Sequence, residues 1–318
     1  MNISKISSLF KTKKSVAGWT AIGAASHGVY LAQIDFSGAM PKVARCEYHE
    51  MASLCVAELE KLKREADLDD CHYTTLLAPS EYQMLMVEAP NVPAHELKSA
   101  IRWKIKDGLN CHVDDATVDV LKIPSNKYGS NHVQSLYAIA APNQIIQKKI
   151  ALFDQSKIAL NVIDIPETAQ RNVAALFEHA EHALVLLSFD ESGGLLTFTS
   201  GGELYFSRRI DISTGQLRDA KEQLRKQCYD RVELELQRSL DYVDRQFNHP
   251  EISRILISMP DEIGLVELLK SSVEIPVERM ELSEVLDISG ISALGDKEFV
   301  SQMLPTLGAA LRQEARAL

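Results

Sequence analysis

Residues 15–50 read SVAGWTAIGAASHGVYLAQIDFSGAMPKVARCEYHE. Val16–Ile22 is apolar, Gly23–Ser26 is a turn of small residues, and Val29–Ile34 is apolar again. Ser37-Gly38 makes a second turn, and Lys42–Tyr48 has strand composition. Apolar runs of this length, broken by Gly and Ser, predict a three-stranded meander. The same arrangement returns late in the chain. Leu184–Phe189, Gly194–Thr199 and Glu203–Arg209 read as three strands, joined at Ser192-Gly193 and Ser200-Gly201-Gly202. Two such meanders predict a duplicated α/β unit, with a cleft between its copies.

The segments around the meanders fill out the units. Residues 51–66 place Leu54, Ala57, Leu59 and Leu62 among Glu and Lys, a helical spacing, and Thr74–Ala78 is a short strand. Gln83–Glu88 is a further strand, followed by the stiff Pro90–Pro93 turn and a helix over His95–Asp107. Residues 117–123 and 133–141 pair as strands across the polar loop Pro124–Asn131, and Asn143–Ser156 is helical. Leu160–Asp164 is a strand, and 165–181 a helix opened by Pro166-Glu167-Thr168. From Gln216 to Phe247, Leu217, Leu224, Val232, Leu236, Leu240, Val243 and Phe247 hold one helical face. Arg254–Ser258 is a buried-type strand, Glu262–Lys270 a helix and Val277–Met280 a strand, and a helix over Phe299–Leu318 closes the chain. The expected organisation is a basic tail (1–14), domain I (15–80, with 299–318 returning to it), an inserted subdomain (81–160) and domain II (161–298).

Composition narrows the function. The chain has 318 residues, enough for about two domains. Its 46% hydrophobic and 25% charged residues are globular usage. The net charge of −10 opposes binding to nucleic acid, which is itself polyanionic. Five cysteines without a CxxC pair suggest neither a zinc site nor a disulfide framework. No run approaches the ~20 apolar residues that span a bilayer. The first residues, MNISKISSLFKTKK, lack a signal-peptide core and cleavage site. As a helix, Ile3, Ile6, Leu9 and Phe10 with four lysines would lie on an anionic membrane surface; as a frayed start they would bind nothing. No GxSxG, P-loop or dinucleotide fingerprint occurs, and His95-Glu96 lacks the second His of a zinc-protease helix.

The duplicated meander resembles the superfamily of actin, sugar kinases and heat-shock-70 proteins, and so implies a mixed α/β, actin-like ATPase (RNase H-like) fold. Shorter matches point to its PilM-type pilus members. Ala21-Ile22-Gly23-Ala24-Ala25-Ser26 stands where those proteins carry a hydrophobic-Asp-Ile-Gly-Ser-Ser-Ser hairpin. Pro93–Leu97 with Ala100–Trp103 resembles the start of their inserted subdomain, and Asn161–Pro166 their interdomain crossing. Glu235–Tyr242 resembles the helix before their adenosine loop. The divergence is most similar to the MshI branch, from the biogenesis system of mannose-sensitive haemagglutinin (MSHA) type IV pili.

The resemblance implies a nucleotide pocket at Gly23, Ala24, Ser26, Ser188, Asp190, Gly193 and Ser258, with Mg-ATP the cofactor of any retained site. The residues depart from that pattern at all three elements. Ala21 replaces the first carboxylate that would hold magnesium, a cation that wants oxygen ligands. In the second hairpin Ser188 takes the Asp position and Asp190 the Gly position. A carboxylate facing a phosphate about 4 Å away repels it by about 4 kcal/mol at an effective dielectric near 20. Asp190, in a shifted register, could still reach a magnesium ion. Ser258-Met259-Pro260 replaces Ser-Gly-Gly, adding bulk and deleting a backbone donor. These changes predict lost hydrolysis and assign no catalytic residue, cofactor or metal ligand. A working ATPase of the same machinery is the alternative. A sugar-kinase-like phosphotransferase would need a catalytic Asp that the cleft does not offer.

The resemblance also implies a scaffold at the cytoplasmic face of the inner membrane, among other pilus assembly-platform proteins. Its partner would be a PilN/MshJ-like inner-membrane protein, bound through an N-terminal tail. An extended tail needs a strand edge and apolar pockets. Met84, Met86, Trp103 and Ile105 are the candidates, since Met adapts to bound chains and Trp anchors them. Each is read equally well as core packing.

Overall fold

The computed structural model describes residues 19–66, 68, 72–124, 134–247, 251–261 and 263–313. The basic tail and the end of the chain beyond 313 lie outside the described residues. The chain opens with β1 (Trp19–Ala25), β2 (Gly28–Asp35), β3 (Lys42–Glu50), α1 (Val56–Glu65) and β4 (His72–Leu76). Then come β5 (Gln83–Glu88), α2 (Leu97–Ile105), β6 (Ala116–Lys122), β7 (Ser135–Pro142), α3 (Asn143–Gln155), β8 (Leu160–Asp164) and α4 (Pro166–Phe177). The rest is β9 (Ala183–Asp190), β10 (Gly193–Ser200), β11 (Glu203–Ile210), α5 (Thr214–Leu217), α6 (Glu222–Gln246), β12 (Ile252–Ser258), α7 (Leu265–Ser272), β13 (Val277–Arg279) and α8 (Lys297–Ala310).

Two five-stranded sheets share one topology. Their orders are β3-β2-β1-β4-β8 and β11-β10-β9-β12-β13. In each, a meander is antiparallel and two later strands add in parallel. The parallel strands β9 and β12 carry continuous buried apolar runs, Ala183–Leu187 and Ile255–Ile257, as strands covered on both faces do. The duplication expected from the two meanders is therefore complete at the level of strand order.

The boundaries need correction. The strand at 160–164, set at the junction of the insert and domain II, is the edge strand β8 of the first sheet. Phe153, Ile158 and Leu160 join the core of the first half, beside Ile22, Leu31, Leu59 and Leu62. The insert sheet thus ends with Pro142, and the chain is back in the first half through α3 and β8. The expected helix over 216–247 is two helices. Asp219 breaks it by accepting a hydrogen bond from the Lys221 amide at 2.8 Å. The sequence spacing continues across the break, so periodicity alone does not mark it, but Leu224, expected on the apolar face, is 42% exposed.

The helices that follow each sheet are exchanged. Helix α4 leaves the first sheet and packs on β9, β10 and β11, whereas α8 leaves the second and packs on β1, β2 and β4. They cross where Gly308 meets Ala169. A Cβ at Gly308 would lie 2.6 Å from the Ala169 carbonyl carbon and closer still to its oxygen. Asn172 Nδ2 donates to the Gly308 carbonyl at 2.9 Å across the same crossing. Only glycine allows the two backbones to come this close.

The insert is a three-stranded antiparallel sheet, β5-β7-β6, apolar on both faces. One face carries Leu85, Val87, Val118 and Val120 against Ile101 and Ile105 of α2. The other carries Met84, Met86, Leu121, Tyr137 and Ile139 against the core of the second half.

Candidate functional site

A cleft of about 530 Å³ lies between the hairpins of the two halves. Gly23–Ser26 form one lip and Asp190–Gly193 the other. The side walls come from Glu81, Lys149 and Arg209, and Gln302–Thr306 apart from Met303 supply a wall of helix. Hairpin tips face one another here because the duplication sets β1–β2 and β9–β10 as matching strands of two sheets.

Six of the seven expected pocket residues line this cleft: Gly23, Ala24, Ser26, Ser188, Asp190 and Gly193. Ser258 does not. It is buried at 4% exposure, paired in register beside Ser188, at the end of β12. Met259, which follows it, is turned into the core of the second half. Gly23 sits beneath α8. A Cβ there would lie 3.2 Å from Thr306 Cβ and closer to its hydroxyl, so the close packing of this helix already accounts for the glycine.

The second hairpin is chemically committed. Ser188 Oγ donates to Gln170 Oε1 at 2.6 Å. Gln170 is itself fixed, because its Nε2 donates to the Leu186 carbonyl at 2.8 Å and the Leu195 carbonyl at 3.0 Å. Asp190 Oδ1 accepts from the Ser192 amide at 2.7 Å and the Ser192 hydroxyl at 2.6 Å. This side-chain mimic of a turn closes the hairpin locally. Asp190 and Glu191 leave the lip acidic. Together with burial and the neighbouring Tyr48, they push the Tyr30 phenol up to about 12, burial being the largest cause. Tyr30 Oη donates to Gln302 Oε1 at 2.5 Å.

Two cations reach the walls, neither singled out by the sequence. Lys149 on α3 pairs with Glu81 at 3.0 Å. Arg209 on β11 donates through Nε to Glu167 Oε1 at 3.0 Å and through Nη2 to Tyr82 Oη at 2.9 Å. Tyr82 Oη donates to the other Glu167 oxygen. Glu167 is 3% exposed, so it is a buried charge held by a paired cation and a phenol. Burial pushes the Tyr82 phenol well above its ordinary range, with Glu167 next in effect. Burial works against the charge on Arg209, but Glu167 and Tyr82 outweigh it and raise its pKa. Alternation along β11 puts Arg209 on the wetter side of the strand but says nothing of its partners, which come from α4 and the start of the insert. Among the described residues, no group of three His, Cys, Asp or Glu could hold a metal ion.

The four candidate partner residues do not share a surface. Met84 and Met86 pack on the second half, where Tyr242 Oη lies 3.4 Å from Met86 Sδ. Ile105 is 3% exposed inside the insert, on the opposite face of its sheet. Trp103 alone faces outward, 69% exposed, with Lys106 Nζ 5.9 Å from its ring centre. A groove built from all four is therefore replaced by two separate packing faces and one exposed ring. The cause is that α2 covers the Leu85/Val87 face of the sheet, opposite Met84 and Met86, and that Trp103 and Ile105, two apart on a helix, point to opposite sides of it.

Comparison with known proteins adds the fold. No protein-family model matches the chain, and no curated protein matches its sequence. Solved structures do. A PilM–PilN type IV pilus biogenesis complex superposes with a TM-score of 0.69 at 17% identity, over 93% of this chain and 98% of that one. A Bacteroides thetaiotaomicron protein with an actin-like ATPase fold and unknown function gives 0.50 at 9% identity, over 91% and 99%. This chain has the actin-like ATPase fold. Within it, the cleft lies between the hairpins of the duplicated halves, and β5–β7 with α2 form an insert in the first half. The cytoplasmic domain of EpsL, an inner-membrane component of the Vibrio cholerae type II secretion system, is also found, at a TM-score of 0.47 and 12% identity, over 83% and 86%.

Proposed function

We propose that this chain is a PilM-like assembly component of a type IV pilus or a related secretion platform, acting as a scaffold without ATP turnover. Its partner is the N-terminal cytoplasmic tail of a PilN/MshJ-like inner-membrane protein, and its system is of the MSHA type, with this chain in the MshI role. It works at the cytoplasmic face of the inner membrane, among the other platform proteins. No helix among the described residues is long and apolar enough to cross a membrane.

The observation that carries this reading is the second hairpin. Where a carboxylate would hold magnesium there is a serine whose hydroxyl is bonded to Gln170, and the nearby Asp190 has one oxygen, Oδ1, held by its own turn. A phosphate would meet the acidic Asp190–Glu191 lip, and the two cations of the cleft walls, Lys149 and Arg209, are already paired with Glu81 and Glu167. The likeness to the PilM of a PilM–PilN complex, at nearly full coverage of both chains, supports the choice of partner. Trp103 is the anchor we assign on this chain, as the one candidate presented to solvent.

A second reading, an ATP-binding member of the same machinery, is favoured by the size of the cleft and by Lys149 and Arg209 in its walls. Thermal melts in millimolar Mg-ATP separate the two. A ligand at about 100 times its Kd adds about 2.7 kcal/mol to the native state. The scaffold reading expects no rise in Tm with Mg-ATP and saturable binding of a fluorescent PilN-type tail peptide. A dose-dependent rise supports the second reading, and absence of peptide binding removes the first.

A further inference from the structure

The insert touches both halves of the molecule, and this bears on whether the cleft can open. It is joined covalently to the first half, between β4 and α3. Its Met84/Met86 face packs into the core of the second half, and two of its residues, Ile123 and Tyr137, are buried there at 2% and 4% exposure. Tyr137 Oη donates to the Tyr205 carbonyl of β11 at 3.4 Å. A Tyr82–Glu167–Arg209 cluster, with Tyr82 and Glu167 buried, ties the start of the insert to α4 and β11 at the edge of the cleft. The exchanged helices α4 and α8 form a second, separate attachment. Two halves joined only by crossing helices can rotate about the crossing. Two halves joined at a second place cannot, unless that contact breaks.

We infer that the insert is a strut that holds the two halves at one angle, so that the cleft has a fixed width. Opening it would expose the Met84/Met86 face and pull Tyr82 away from Glu167 and Arg209, which both belong to the second half, leaving the buried Glu167 without the phenol's hydrogen bond. Packed interfaces of this kind hold one arrangement or switch to another; they do not deform gradually. This inference concerns the frame and stands apart from what the protein binds.

Spin labels at Glu65→Cys on α1 and Lys270→Cys on α7, both exposed, report the angle between the halves. Cys55, Cys71, Cys111 and Cys228 are replaced by Ser, while buried Cys46, whose thiol burial pushes up to about 12, stays. The strut predicts a single narrow distance distribution. It also predicts broadening by more than about 2 Å, the scale of a genuine rearrangement, in Met84→Ser/Met86→Ser. If that variant loses its native circular dichroism, Tyr82→Phe, which removes both hydrogen bonds from the insert to Glu167 and Arg209, serves in its place. Two resolved distances in the parent protein would overturn the inference. So would an unchanged distribution in a folded, strut-weakened variant, since the crossing helices alone would then hold the angle.

Discussion

Replacing Gly308 with Ala sets two effects of opposite sign against each other. Gly308 lies inside α8, and Ala is the better helix former there by about 1 kcal/mol. Considered alone, α8 should gain stability. The crossing says otherwise. The new methyl would lie 2.6 Å from the carbonyl carbon of Ala169 and 3.2 Å from its Cα. These are backbone atoms of α4, which cannot rotate aside as a side chain can. Both helices are pinned, α8 on the first sheet and α4 on the second. Relief requires the helices to separate, at the expense of the Asn172–Gly308 hydrogen bond and the packing of Ala169 and Leu307. Overpacking costs about 1–3 kcal/mol, and a contact with fixed backbone belongs near the top of that range. Less the helix gain, Gly308→Ala should lose about 2 kcal/mol. At roughly 2 °C per kcal/mol for a chain of this size, Tm should fall by about 4 °C. Urea denaturation followed by far-UV circular dichroism measures the difference directly. A variant as stable as the parent, or more so, would refute the close crossing.

Further outcomes follow from which groups are buried and which are exposed. The Tyr30 phenol is raised from 10.0 to about 12, so the folded state favours its neutral form. The associated stability is complete below pH 10 and is lost as pH rises from there through about 12; urea midpoints across that window should fall less steeply in Tyr30→Phe than in the parent. Equal slopes would mean that Tyr30 is not held neutral at the cleft. In the insert, Ile105→Ala should cost about 2–5 kcal/mol of stability, because it empties a core position. Trp103→Ala should stay within about 0.5 kcal/mol of the parent. The same Trp103→Ala should weaken tail-peptide binding roughly ten-fold in fluorescence anisotropy, and an unchanged affinity would remove Trp103 from the partner site.

The candidate cleft was legible only in part. Small residues at Gly23–Ser26 and the acidic turn at Asp190 can be read from the chain, because hairpin tips are local structures with local signals. Lys149, Arg209, Glu81 and Gln302 cannot. Lys149, Arg209 and Gln302 belong to helices or a strand with no turn chemistry, and Glu81, although it caps its own Pro79–Glu81 turn, gives no local sign of its Lys149 partner; the fold alone brings them to the cleft wall. Ser258 shows the reverse. Its place in the family pattern suggested the pocket, but the turn of Met259 into the core leaves it buried behind Ser188.

By itself, the sequence determined the two meanders, the helix faces and the departures from a nucleotide-binding pattern. These depend on periodicity, turn residues and residue identity, all of which act over a few neighbours. The tertiary structure decided where the chain rejoins the first sheet, since α3 and β8 would suit either sheet by composition. It also decided which apolar face of the insert meets which neighbour. Met84 and Leu85 are adjacent and equally apolar, and only the assembled halves send one toward Tyr242 and Phe206 and the other toward Ile101. Long-range pairings of this kind are fixed by the fit of whole surfaces, a property no local stretch of the chain contains.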